Sequence, residues 1–189
     1  MPAATSAALA LGGPVVAVLA YHAICIAALV VDRGWRGKLR RPPACARWTS
    51  LSCALILGGL ALSLLLPRPG DVGALLRERV FGNSESRFWV FAVYSMLIHC
   101  PAEELFWRGV VDPKSAGAGA VGFYLQHAAP LALFLGSPGQ GLLLAIPAGA
   151  AGLGWSWLSR RSGTLVPALV SHAAADLAIL GIARVLAFG

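Results

Sequence analysis

Long stretches of this chain carry no charged side chain, and that feature limits the folds available to it. Three such runs cover residues 1–31, 48–67 and 115–159 of the 189-residue sequence. A run of about 18 or more apolar residues without charge is typical of a membrane-spanning helix. Only 12% of the residues are charged, whereas a soluble domain typically has about 25%. The sequence therefore excludes a soluble enzyme, a disordered tail and a disulfide scaffold, and it indicates a polytopic membrane protein.

Hydropathy divides the chain into six predicted helical spans. They cover residues 7–31, 49–66, 88–110, 118–135, 141–158 and 165–187. Between the second and third spans, residues 71–81 place apolar side chains at helical spacing against charged ones, which predicts a short amphipathic helix in the interface. We therefore expect an all-α membrane bundle in two parts. Residues 1–86 hold two spans, a basic loop and the amphipathic segment, and residues 87–189 hold a core of four spans.

The net charge of +7 is explained by the loops between the spans. Lys and Arg collect in cytoplasmic loops of membrane proteins and set their orientation. The loop after the first span has six basic residues against Asp32 alone, which predicts that this loop is cytoplasmic and that both termini face outward. The expected partner of the basic residues is therefore the lipid bilayer, and we expect no nucleic-acid binding.

Four charged residues lie inside the apolar stretches, namely Glu103, Glu104, Arg108 and Asp176. A charged group in that position costs at least ~2.5–3.5 kcal/mol, so such residues persist when they pair or form a site. Glu104 and Arg108 are four residues apart and share a helix face, whereas Glu103 lies about 100° around the helix from Glu104. We expect one carboxylate to pair with Arg108 and the other to remain free.

The histidines also lie in apolar stretches, and two of them fall at helical spacing from another polar or aromatic residue. His172 lies four residues before Asp176, and His127 lies four residues after Phe123. Together with Glu103, these side chains supply the groups for general-base hydrolysis of a substrate by water. The same groups would suit a zinc site with an open coordination position.

The remaining two histidines are expected to have structural roles. A lone intramembrane histidine is more often a hydrogen-bonded structural residue than a reactive one, and we interpret His22 and His99 in that way. His99 lies one helical turn before Glu103, so a supporting contact to that carboxylate is within reach.

Three short motifs occur in order on the third, fourth and sixth predicted spans. They are EExxxR at residues 103–108, FxxxH at residues 123–127 and HxxxD at residues 172–176. Their order, spacing and placement resemble the CPBP family of intramembrane proteases, also called the ABI or CAAX-protease family. The resemblance covers residues 87–188. It implies a four-helix catalytic core that encloses a water-filled cavity with a glutamate-dependent peptidase site.

The resemblance also implies roles for the residues of the first motif. Glu103 would activate the attacking water, while Glu104 and Arg108 would hold the helix and shape the pocket. Phe123 would support the site from the neighbouring span.

The other two motifs would act on the water and on the scissile carbonyl. His127 would assist the water or the developing charge, and His172 and Asp176 would polarise the carbonyl and stabilise the oxyanion. Many family members have Asn at the position of Asp176. An ionised Asp cannot donate a hydrogen bond whereas Asn can, so Asp176 either takes the oxyanion role in its protonated form or instead orients His172.

Relatives in this family act on several kinds of membrane-associated substrate. Eukaryotic members trim prenylated CaaX tails, whereas bacterial members process bacteriocin-type peptides, confer immunity or remove C-terminal sorting tails. The Ala, Leu, Gly and Arg bias resembles that of a high-GC bacterial genome, which makes a prenylated substrate a poor expectation. We expect an enzyme of the bacterial inner membrane that cuts a membrane-associated protein or peptide near its C-terminus. A sorting tail, as in myxosortase-like members, is the favoured candidate.

No cofactor is expected, although the residues leave zinc open. The chain lacks HExxH, the compact two-histidine helix of many metalloproteases, and this favours metal-free catalysis. Two alternatives outside proteolysis remain. One is a transporter that uses Glu103, His127 and His172 as an ion or proton relay, although no inverted repeat is visible. The other is an immunity-type scaffold, which would not require Glu103.

Overall fold

The computed structural model describes residues 2–40, 45–63, 72–115, 117–135 and 137–189, and these residues form helices without a strand. The α-helices are α1 Pro2–Val31, α2 Cys45–Ser63, α3 Val72–Leu75, α4 Glu85–Tyr94, α5 Cys100–Glu104, α6 Ala118–Leu135, α7 Pro138–Leu144, α8 Ile146–Ser162 and α9 Val166–Phe188. A 3₁₀ turn covers Gly34–Leu39, and π-helical turns cover Leu76–Val80, Ser95–His99 and Leu105–Val111. The prediction of an all-helical fold is confirmed for this part of the chain.

Among the residues that the structure describes, two helical stretches are long and apolar enough to cross a membrane. They are Pro138–Ser162, with a mean hydropathy of 1.4, and Val166–Phe188, with a mean hydropathy of 1.7. A shorter apolar helix covers Val16–Val31. The count of six spans therefore stays a prediction, and the end of the predicted second span, residues 64–66, lies outside the described residues.

The first sequence motif lies on one continuous helical rod, residues 85–111, which we call the motif helix. It consists of α4, the π turn Ser95–His99, α5 and the π turn Leu105–Val111. The Ser84 side chain accepts a hydrogen bond from the backbone N–H of Arg87 and caps the start of the rod. This cap explains why the helix begins three residues before the predicted start of the third span. Each π turn shifts the facing pairs from residues four apart to residues five apart.

The first, third and fifth loops meet at one end of the bundle. Lys114 Nζ lies 2.6 Å from Asp32 Oδ2, and Arg160 Nη1 lies 3.9 Å from Asp112 Oδ2. The backbone N–H of Leu165 donates to the carbonyl of Lys38 at 2.8 Å. The hydrogen bond from Lys114, together with that from the Gly34 N–H, lowers the pKa of Asp32.

The opposite end is closed by the predicted amphipathic segment. It forms α3 and the following π turn, from which Arg77 donates to the backbone carbonyl of Ala187. Phe81, Phe88 and Phe188 pack there with ring centres 5.2–6.2 Å apart. These contacts attach the segment to α4 and to the end of α9.

The core lies between α1, the motif helix, α6, α8 and α9. A set of small and aromatic side chains fills it: Tyr21, Cys25, Ala102, Phe106, Trp107, Phe123, Trp155, Ala168 and Ala175. The outer faces of the same helices expose large apolar side chains, including Val31, Val90, Leu153 and Val185. An apolar exterior around a core that contains buried charges is the arrangement expected of helices surrounded by lipid.

Candidate active site

A buried ion pair joins two residues of the first motif. Arg108 Nη1 donates to Glu104 Oε1 at 3.0 Å, and Arg108 Nη2 donates to the carbonyl of Gly152 at 3.2 Å. The guanidinium carbon lies 4.5 Å from the ring centre of Phe123 and 5.4 Å from that of Trp155. Glu104 is thus the carboxylate that pairs with Arg108, and the pair connects the motif helix to α8.

Glu103 is fully buried, and no cationic group lies within hydrogen-bond distance of its carboxylate oxygens among the described residues. The nearest cationic candidates are two imidazoles. His99 Nε2 lies 3.7 Å and His172 Nε2 lies 3.8 Å from Glu103 Oε2. The Tyr21 hydroxyl of α1, which accepts from Trp107 Nε1 at 2.8 Å, is the neighbouring donor to this carboxyl group. A buried carboxylate without a cation at hydrogen-bond distance is costly to retain, which marks it as a functional candidate.

His172 of α9 connects the two glutamates. Its Nδ1 lies 2.8 Å from Glu104 Oε1, and because an ionised carboxylate only accepts hydrogen bonds, Nδ1 is the donor. The ring stacks on Trp155 with centres 4.2 Å apart and an interplanar angle of 18°. His172 Nε2 then points away from Glu104 and lies 3.5 Å from Asp176 Oδ1.

His127 of α6 joins the site less directly. Its Nδ1 lies 2.8 Å from the backbone carbonyl of Phe123, an acceptor, so Nδ1 carries the hydrogen and Nε2 is left as an acceptor. The ring interacts electrostatically with Glu103 and is half-buried. This orientation suits contact with a water near Glu103.

A second chain of contacts enters the site from α1. His99 Nδ1 lies 2.8 Å from His22 Nε2, and His22 Nδ1 lies 2.7 Å from the hydroxyl of Tyr94. His99 Nε2 faces Glu103 and also lies 3.9 Å from Asp176 Oδ2. His99 makes the contact to Glu103 that its spacing allows, and it also connects that carboxylate to the first helix.

The site opens to the surface on the side of His99 and Asp176. Their side chains are 24% and 16% exposed, whereas Glu103 and Glu104 are completely buried. The residue one helical turn after Asp176 is the apolar Ile179, which is 49% exposed. The accessible side of the site therefore borders the apolar outer face of α9.

Several of these side chains could hold a metal ion. His99, His172 and Asp176 each offer one ligand atom within 4.8 Å of the others, and His22, His99 and Glu103 do the same. Histidine nitrogens and carboxylate oxygens are the ligands that zinc takes in catalytic sites.

The structure groups most of the residues that the sequence singled out. Glu103, Glu104, Arg108, His172 and Asp176 form one contact network, with Phe123 packed against it and His127 at its edge.

Sequence reasoning missed several neighbours of this network, namely Tyr21, Tyr94 and Trp155, and it did not connect His22 to it. Tyr94 and His99 are five residues apart, a spacing that brings two side chains together across a π turn and not in an α-helix.

A protein-family model matches the second half of the chain up to residue 178. The sequence model described as Rce1-like, type II CAAX prenyl endopeptidase Rce1-like, matches residues 85–178, about half of the 189 residues. The match contains all three motifs and all the network residues outside α1. No curated protein and no solved structure matches the chain.

Proposed function

We propose that this chain is an intramembrane endopeptidase that uses Glu103 to activate water. Through residues 85–178 it belongs to the Rce1-like family of type II CAAX prenyl endopeptidases. The family is one of membrane-embedded proteases that act on membrane-associated proteins. The observation that carries the proposal is the fully buried Glu103 carboxylate, which lies between two imidazoles and has no cation within hydrogen-bond distance among the described residues.

The first chemical step is addition of water to the scissile carbonyl. Glu103 takes a proton from the water while the water oxygen bonds to the carbonyl carbon. His127 Nε2, left as an acceptor by the contact of Nδ1 to Phe123, accepts the second hydrogen of the water and orients it. A well-placed general base contributes about 10²–10⁴-fold to such a step.

The tetrahedral intermediate carries its negative charge on the former carbonyl oxygen. His172 donates to this oxygen from Nε2, because Nδ1 is already bound to Glu104. A histidine that donates from both nitrogens is a positively charged imidazolium. Its charge offsets the three neighbouring carboxylates, Glu103, Glu104 and Asp176, because Arg108 pairs with Glu104 alone among them. Before substrate binds, the same Nε2–H of His172 points towards Asp176 Oδ1, 3.5 Å away, so Asp176 orients the ring and is replaced by the oxyanion during the reaction.

Collapse of the intermediate completes the reaction. The carbon–nitrogen bond breaks, and Glu103 returns its proton to the leaving nitrogen, so the products are a carboxylic acid and an amine. Atoms and charge balance without a further reactant, and Glu103 is ionised again for the next water.

The proposed substrate is a membrane-associated protein or peptide cut near its C-terminus. Support comes from the position of the accessible side of the site, which borders the apolar outer face of α9, where a segment in the bilayer can approach. A C-terminal sorting tail remains the favoured candidate over a prenylated tail, and the bacterial inner membrane remains the proposed location.

The test is cleavage by purified enzyme in lipid vesicles of two quenched fluorescent peptides. One ends in a farnesylated CaaX sequence, and the other ends in an apolar membrane-spanning tail followed by basic residues. Glu103→Gln should lower kcat by about 10²–10⁴-fold. Glu85→Gln is the matched control, because Glu85 is exposed and pairs only with Arg184 among the described residues.

Two outcomes would contradict the proposal. Parent-like turnover by Glu103→Gln would refute the glutamate mechanism. Failure of the parent to cleave either peptide would favour a relay transporter or an immunity-type scaffold.

A zinc-dependent form of the same protease is a second candidate, and one observation favours it. The Nε2 atoms of His99 and His172 lie 3.5–3.9 Å from oxygens of Glu103 and Asp176. Tetrahedral zinc with bonds of 2.0–2.1 Å places its ligand atoms about 3.4 Å apart. His99, His172 and Asp176 would hold the ion with three ligands, and the open fourth position would carry a water for activation beside Glu103. Loss of activity on treatment with a chelator, restored by added zinc, would support this form, whereas unchanged turnover after metal removal would exclude it.

A further inference from the structure

The first helix contributes a buried histidine to the site although it lies outside the family match. His22 is 2% exposed, and both of its ring nitrogens are bound, Nδ1 to the Tyr94 hydroxyl at 2.7 Å and Nε2 to His99 Nδ1 at 2.8 Å. These distances are short for hydrogen bonds and indicate well-formed contacts.

The π turn Ser95–His99 makes this arrangement available. In an α-helix, side chains five residues apart point in different directions, but a π turn brings them to one face. Tyr94 and His99 therefore both face α1, and the single ring of His22 binds both of them. π turns of this kind occur frequently at functional sites.

The direction of each hydrogen bond follows from the groups that His99 faces at the end of this hydrogen-bonded series. His99 Nε2 faces the carboxylates of Glu103 and Asp176, which only accept, so in the neutral ring Nε2 carries the hydrogen. His99 Nδ1 is then an acceptor and takes the Nε2–H of His22. His22 Nδ1 in turn accepts from the Tyr94 hydroxyl, whereas in the reverse order Nδ1 carries the hydrogen and donates to the Val18 carbonyl one turn earlier. The first order is the one that leaves an N–H of a neutral His99 facing the two carboxylates.

The distances between His99 Nε2 and the two carboxylates leave a position for a water molecule. His99 Nε2 is 3.7 Å from Glu103 Oε2 and 3.9 Å from Asp176 Oδ2, which is too far for direct hydrogen bonds. An oxygen placed between these atoms has polar partners on several sides, as a bound water requires.

We propose that His99 donates from Nε2 to the water that Glu103 deprotonates, and that His22 and Tyr94 are positioning residues that hold His99 in this tautomer. The inference rests on the proposed hydrolytic function and extends the site to α1. It gives α1 a role in the site, although α1 lies outside the matched segment, residues 85–178.

The kinetic test uses the peptide that the parent cleaves. His99→Ala should lower kcat by about 10²-fold and His22→Ala by about 10-fold, with KM within twofold, because a misplaced reacting group affects the chemical step. His22→Gln keeps an N–H donor at similar reach and should stay within about threefold of the parent. Tyr94→Phe keeps the ring and should lower kcat by about threefold to 10-fold. Tyr124→Phe is the matched control, because it removes one hydroxyl that donates to the Leu142 carbonyl away from the site.

A double substitution separates positioning from general stability. If His22 acts through His99, the variant with both His22→Ala and His99→Ala should be no slower than His99→Ala alone, whereas independent effects would multiply. Multiplied effects, or parent-like kcat in both His22→Ala and Tyr94→Phe, would overturn the inference. Because Glu103→Gln is scored in the same assay, loss of activity there together with parent-like His22→Ala would leave the proposed function intact.

A spectroscopic measurement tests the same inference without turnover. In ¹⁵N-histidine NMR spectra of the protein in lipid, His22 should show a protonated Nε2 and a bare Nδ1, and Tyr94→Phe should shift the Nδ1 signal. A protonated Nδ1 at His22 in the parent would reverse the order of donors and refute the proposal.

Discussion

Replacing Arg108 by Met should destabilise the fold strongly, because the guanidinium is buried and bound on several sides. The variant loses the 3.0 Å bond to Glu104, the 3.2 Å bond to the Gly152 carbonyl and the packing of the cation on Phe123. Removing one partner of a buried ion pair typically costs about 3–5 kcal/mol. The remaining hydrogen bond from His172 to Glu104 Oε1 partly compensates, so we expect a loss at the lower end, about 3 kcal/mol.

Thermal unfolding of the detergent-solubilised protein measures this loss. Cys25 and Cys100 are buried free thiols, so a thiol-reactive fluorophore reports their exposure on unfolding. For a chain of this length about 3 kcal/mol corresponds to a fall in Tm of about 6–12 °C. Arg184→Met is the matched control, because it removes the same cation from a partly exposed pair with Glu85 that is worth about 0–1 kcal/mol.

Adding Glu104→Gln to Arg108→Met tests the physical reason for this loss of stability. If the cost arises from leaving Glu104 charged and poorly paired, then adding Glu104→Gln to Arg108→Met should restore part of the lost Tm. The reasoning would be refuted if Arg108→Met were no more destabilising than Arg184→Met, or if the added Glu104→Gln lowered the Tm further.

Two further predictions concern packing and pH. Gly152→Ala should lower the free energy of unfolding by about 1–3 kcal/mol in the same assay, because the new Cβ would lie 3.1 Å from the Phe123 ring. Gly154→Ala in the same helix is the control: its Cβ meets nothing within 4 Å, so it should be neutral or stabilising. The contact of Asp32 with Lys114 lowers the pKa of Asp32 below its ordinary value of about 3.9, so its stabilising effect should be present above about pH 4 and lost as the pH falls through the folded-state pKa. The Tm difference between the parent and Asp32→Asn should therefore shrink between pH 7 and pH 3, and a difference that stays constant would contradict the assignment.

The motif helix shows which contacts can be predicted from the spacing of residues along a helix. The four-residue separation of Glu104 and Arg108 predicts a pair on one face, and the structure contains that pair. Spacing alone could not give the other partners of this pair. They are His172 and Gly152, which contact it from α9 and α8.

The first helix shows where local spacing fails. A single histidine in an apolar stretch gives no indication of its partners, so His22 is predicted as a structural residue. Its contacts come from the packing of α1 against the motif helix and from a π turn whose five-residue periodicity has no reliable sequence signal.

The sequence by itself determined that the chain is helical and apolar, and it determined which few ionisable side chains stand in apolar surroundings. Those properties depend on composition and on separations of three or four residues, which the regular geometry of a helix converts directly into shared faces. Only the tertiary structure decided that His172 binds Glu104, and that Tyr94 and His22 are hydrogen-bonded in series to His99. Those contacts join residues about 70 or more positions apart, and their geometry depends on how whole helices pack.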